Sequence, residues 1–104
     1  MPNQQVMHLI DQIRAKRDEI YAIARKYKAE KLWVFGSVAR REERPDSDVD
    51  FLVEFNDGAS LLDQGGMSYL LGRALRRPVD VVDSGTLQRE PFFSYAVRRD
   101  LVAI

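Results

Sequence analysis

"VFGSVARREERPDSDVDFLVEF", residues 34–55, decides how this chain is read. It opens on the end of an apolar run, stops at Gly36 and Ser37, crosses ten residues of which eight are charged or turn-forming, and resumes at "DVDFLVEF". In that second run Val49, Phe51, Val53 and Phe55 alternate with other residues, so as a strand they share one face. The same alternation sends Asp48 and Asp50 to the opposite face. The stretch is therefore read as strand, turn, one or two helical turns over "VARREE" capped by Ser37, loop and strand.

Outward from this unit the periods change. Upstream, Leu32, Trp33, Val34 and Phe35 form a short continuous apolar run rich in branched and aromatic residues. That is the pattern of a strand covered on both faces. Before it, Val6, Ile10, Ile13, Ile20, Ile23 and Tyr27 recur at helical spacing, which predicts one amphipathic helix over residues 4–28. Downstream, "NDG" turns the chain, and Leu61, Leu62, Leu70, Leu71, Ala74 and Leu75 predict a second long helix. It should end near Arg77, since Pro78 cannot continue it, and Gly65 and Gly66 weaken its first half, so its second half is the firmer expectation. "PVDVVD" is a third strand, and "REPFFSYAVRRD" a last helix with Pro91 near its start, before the apolar tail "LVAI". The order gives an α/β (α+β) fold: one domain over residues 1–104, with a small mixed sheet of three to four strands packed against helices.

Composition narrows the function. The chain of 104 residues contains no cysteine and one histidine, which excludes disulfides, thiolate nucleophiles and histidine-rich metal centres. No apolar run reaches the roughly 20 residues that cross a bilayer, and the N-terminus lacks the pattern of a signal peptide, so a cytoplasmic location is expected. The net charge is zero, but the charges separate. Residues 14–31 hold seven bases against three acids, and residues 42–63 hold eight acids against one base. Because acids alternate with the bases of the first helix, direct nucleic-acid binding is not expected. His8 and Trp33 are read as structural.

An acidic block is usually a solvated face, but Asp48 and Asp50 are embedded in an apolar strand. Two carboxylates on one face, about 7 Å apart at their α-carbons, repel unless solvated or bridged by a cation. Magnesium suits them, since it prefers carboxylate, phosphate and water oxygens and takes only one or two ligands from protein. Gly36 lets backbone approach a bulky anion, the turn's N–H groups and the Ser37 hydroxyl offer donors for phosphate, and Arg40 adds a charge one turn later. Asp80, inside the third strand, would complete a three-carboxylate cluster if that strand lay beside the second. Such a cluster can hold two ions about 3.5 to 4 Å apart. Each half alone is more often only a turn or a strand entrance; together they point to phosphoryl-group chemistry.

"GSVARREERPDSDVD" resembles the signature of the minimal nucleotidyltransferases, a small branch of the DNA polymerase β-like superfamily, in which Gly-Ser is followed after ten residues by Asp-x-Asp. "FLVEF" and "GRALRRPVDVVD" extend the resemblance over about residues 31–84. It departs at Arg41, where many members carry glycine. The resemblance implies that ATP binds with magnesium, with two ions expected, and that a hydroxyl attacks its α-phosphorus with loss of pyrophosphate. Gly36 and Ser37 would hold the β and γ phosphates, and Asp48 and Asp50 would ligate the metals. Asp80 would ligate the second metal and help deprotonate the attacking hydroxyl. Members of this length resemble the antitoxin of HEPN/MNT toxin–antitoxin pairs, whose partner is a HEPN ribonuclease toxin modified by AMP on a tyrosine.

A second reading is a binding module that silences its partner by occlusion, with catalysis weak or lost. Phe92, Phe93 and Tyr95, near Arg98 and Arg99, could serve such an interface, although aromatics at the end of a small domain are more often core.

Overall fold

The computed structural model describes residues 7–104. Four strands form one sheet in the order β3–β2–β1–β4, with β1 Ala29–Phe35, β2 Val49–Phe55, β3 Val79–Asp83 and β4 Val102–Ala103. β1 runs antiparallel to both β2 and β4, whereas β2 and β3 are parallel. The mixed sheet follows from the connections. A short turn and loop return the chain antiparallel, but a parallel neighbour requires the crossover that α4 (Leu61–Leu75) provides.

The sheet is covered on both faces, as the continuous apolar run at β1 requires. On one face Leu32, Val34, Val49, Phe51 and Val53 pack against α1 (Leu9–Ala15), α2 (Arg17–Lys26) and α4, with Ile13, Ile20, Met67 and Leu71 fully buried among them. On the other face Phe35 and Leu52 pack against Leu87 from a 3₁₀ turn at Ser84–Gln88 and Val97 from α5 (Pro91–Asp100). No charged or polar residue is buried among the described residues.

Three expectations are corrected, and the apolar tail gains an element. The predicted single helix over 4–28 is two, broken at Lys16, whose backbone leaves the helical region (φ −101°, ψ 18°); residues 4–6, Val6 included, lie outside the described part. The break falls where the apolar stripe lapses. A continuous stripe would place apolar residues three or four positions after Ile13, and Lys16 and Arg17 stand there. The helix after Gly36 is one turn, α3 (Gly36–Ala39), within the one or two expected, but Ser37 does not cap it: the cap position is Phe35, and Ser37 lies inside the turn and makes no cap bond. The glycines of α4 do not shorten it. It is helical from Leu61, held by a capping box in which Ser60 and Asp63 satisfy each other's backbone N–H. The tail "LVAI" supplies β4, and Ile104 N–H donates to the Leu32 carbonyl at 3.2 Å.

Candidate active site

The sheet register assembles the acids. Asp50 on β2 stands opposite Phe35 of β1 on one side and Asp80 of β3 on the other. Its strand neighbours Val49 and Phe51 enter the main core, so Asp50 shares the face of Leu52. Val81 likewise enters the main core and leaves Asp80 on that same face. Asp48 is exposed immediately before β2. Asp50 is half-buried, and its carboxyl is pushed up from the ordinary 3.8 to about 6, first by burial and then by the negative charges of Asp80 and Asp48. Asp48 and Asp80 thus both stand near enough to Asp50 for their charges to bear on its carboxyl.

Gly36 closes the site from β1. Its φ of +76° is a left-handed conformation that side chains disfavour, and a Cβ added there would stand 2.6 Å from Oδ2 of Asp50. Glycine is therefore demanded twice, by the backbone and by the carboxylate lying over it. Ser37 follows half-buried in α3, and the N–H groups opening this turn have no acceptor within it. Arg40 is brought near the turn, but its guanidinium is committed to Asp100 on α5 at 2.7 Å and to Glu42 at 3.3 Å.

The loop between turn and strand is anchored by contacts that no local pattern announces. Arg41 adopts φ +60°, a conformation glycine takes without penalty. Its side chain grips Asp11 of α1 through two hydrogen bonds of 2.6 and 3.0 Å. Glu43 accepts the N–H of Leu9 at 2.8 Å, satisfying the start of α1 from across the chain. From the turn after α4, Arg77 donates to the carbonyls of Arg44 and Ser47 at 2.8 and 3.0 Å.

Among the described residues no group of three or more acids or histidines stands close enough to cage an ion unaided. The donor set nonetheless suits magnesium. Magnesium takes one or two carboxylates from protein while water and substrate phosphate complete its shell, so three acids need not close into a cage. The fit is supported by Asp50, whose charged form is disfavoured by its surroundings and gains from a nearby cation.

Comparison with known proteins agrees with the fold. Residues 18–103 match the nucleotidyltransferase domain family. A Methanocaldococcus jannaschii protein named as a protein adenylyltransferase is 41% identical over 73 residues, 70% of this chain and 75% of its own. A second from that organism, with the same name, is 30% identical over 95 residues, 91% of this chain and 94% of its own. Among solved structures, a minimal nucleotidyltransferase superposes with a TM-score of 0.79 at 35% identity, over 97% of this chain and all of that one. A chain from the complex of a tri-AMPylated Shewanella oneidensis HEPN toxin with its MNT antitoxin shares the fold, with a TM-score of 0.63 at 20% identity, over 86% of this chain and 69% of that one. By the domain match over residues 18–103 and these relatives, this chain belongs to the nucleotidyltransferase domain family, as a minimal nucleotidyltransferase.

Proposed function

We propose that this chain is a magnesium-dependent protein adenylyltransferase, which moves AMP from ATP to a hydroxyl on a partner protein and releases pyrophosphate. The observation that carries the proposal is the pairing of Asp50 with Asp80 in register, beneath a glycine that only clears the Asp50 carboxylate because it lacks a side chain. Phosphoryl-group transfer asks chiefly for positioning and charge neutralisation, and this arrangement offers both without a nucleophilic side chain.

Within this reading Gly36 and Ser37 bind the β and γ phosphates, and Arg40 adds a charge beside them once it exchanges Asp100 for phosphate. Asp48, Asp50 and Asp80 would hold the metal, which would supply the charge that neutralises the phosphates and acidifies the attacking hydroxyl. Asp80, exposed at the edge of the group, accepts the proton of that hydroxyl. The acceptor is proposed to be a tyrosine of a HEPN ribonuclease toxin, with this chain as its antitoxin in the cytoplasm. The relatives named as protein adenylyltransferases support a protein acceptor, and the AMPylated toxin complex of the same fold supports a HEPN partner. No helix among the described residues is long and apolar enough to cross a membrane.

The test is transfer of label from α-labelled ATP to a HEPN toxin in the presence of magnesium. Asp48→Asn with Asp50→Asn should abolish it while leaving the fold intact, and unchanged transfer by that variant refutes the proposal. Occlusion is the second reading, favoured by Phe92 and Tyr95 standing 94% and 73% exposed on α5; the side chain of Phe93 lies outside the described residues. Under occlusion the same variant would still protect cells from the toxin at normal expression.

A further inference from the structure

The backbone around Asp48 is held on both sides by two consecutive residues of a distant segment. On the N-terminal side, Nη1 of Arg77 donates to the Ser47 carbonyl at 3.0 Å and to the Arg44 carbonyl at 2.8 Å. On the C-terminal side, the Val49 N–H donates to the Pro78 carbonyl at 3.0 Å. The two peptide units that flank Asp48 are therefore both bonded to the turn between α4 and β3. That turn is itself fixed, since the Arg77 N–H closes the end of α4 on the Gly72 carbonyl at 3.2 Å. It leads at once into β3, where Asp80 pairs with Asp50.

We infer that Arg77 is a positioning residue of the nucleotidyl-transfer site: with Pro78 it fixes the peptide units on both sides of Asp48, and so sets the spacing of Asp48 from Asp80. The inference rests on the assignment of Asp48 as a metal ligand made above. Asp48 needs such help because it lies just outside β2, before the strand's own ladder begins. The charges that raise the Asp50 carboxyl are those of Asp80 and Asp48, and the contacts of Arg77 are with backbone. Its effect passes through the carbonyls of Arg44 and Ser47, and the Ser47 hydroxyl tightens the same loop by accepting the Arg44 N–H at 2.8 Å.

The full-length chain is compared as wild type, Arg77→Met and Arg77→Lys. Methionine keeps much of the side chain's length and removes both bonds. Lysine can restore them, because a single nitrogen makes both in the wild type. In Arg77→Met, kcat for transfer should fall on the order of tenfold to a hundredfold, the cost typical of a displaced catalytic group. The magnesium concentration for half-maximal rate should rise severalfold, while KM for ATP stays within about twofold. Without metal or nucleotide, amide exchange over residues 44–50 should accelerate by roughly tenfold, with core strands unchanged. Arg77→Lys should recover most of the rate and of the protection. Wild-type exchange over 44–50 in Arg77→Met overturns the inference, as does a lysine variant no better than methionine. Transfer lost in Asp48→Asn but untouched in Arg77→Met overturns the positioning role alone. Transfer that survives Asp48→Asn overturns it together with the site assignment beneath it.

Discussion

Asp50→Asn should make this protein more stable at alkaline pH while disabling it. In the wild type the Asp50 carboxyl is raised from the ordinary 3.8 to about 6 by burial and by its acidic neighbours. A raised carboxyl stabilises the fold only while it stays protonated. Its contribution is complete below 3.8, where the group is neutral in both folded and unfolded chains, and is lost as pH rises through about 6. At pH 8 the folded state therefore carries the full cost, which a rise of roughly two pH units sets at no more than about 3 kcal/mol. The carboxyl is only half-buried and dissolved ions reach it, so about 1–2 kcal/mol is expected. Asparagine keeps the shape without the charge and should gain that amount, or about 5–12 °C in melting temperature for a domain of this size. Thermal melts of both proteins in chelator at pH 8 and pH 4 test this. The gap should be open at pH 8 and mostly closed at pH 4. A variant no more stable than wild type at pH 8, or a gap undiminished at pH 4, refutes the reasoning. Magnesium supplies a second arm, since at pH 8 it should raise the wild-type melting temperature and move the asparagine variant less.

Four further substitutions probe the frame around the site. Gly36→Ala should cost about 1–2 kcal/mol for the left-handed backbone alone. It should also abolish transfer by displacing the Asp50 carboxylate; a melt and a label-transfer assay decide, and wild-type activity would contradict the fit described. In α4 the paired glycines should respond with opposite signs: Gly65→Ala meets open space and should gain about 0.5–1 kcal/mol. Gly66→Ala drives a methyl into the ring of Tyr27 and should lose stability, both read by urea unfolding. Ser60→Ala removes the capping box and should cost about 1 kcal/mol, a fall of roughly 4–8 °C in melting temperature.

The glycine pair illustrates how far the sequence could be read. Two adjacent glycines in a helical pattern signal weakness by propensity, and nothing within a few residues reveals that the Tyr27 ring fills the space over one of them. The break at Lys16 was legible in principle, since the apolar stripe lapses at Lys16 and Arg17, but the heptad-like return at Ile20 masks it. The 3₁₀ turn at Ser84–Gln88 and the strand Val102–Ala103 are too short to carry a period. They form because Leu87 has a second core cluster to enter and β1 has an open edge.

By itself the sequence determined what depends on neighbours along the chain. The alternation in "DVDFLVEF" placed the two aspartates opposite the core, the aromatic run of β1 announced a strand covered on both faces, and Gly36 marked a turn. Only the tertiary structure decided what depends on neighbours across space. It set Asp80 in register with Asp50, closed Gly36 over that carboxylate, engaged Arg40 with Asp100, and brought Arg77 to the loop before Asp48. The physical reason is range: side-chain alternation and turn chemistry act over a few bonds. Register, carboxylate pairing and long-range hydrogen bonds exist only after burial of the apolar faces has chosen which segments meet.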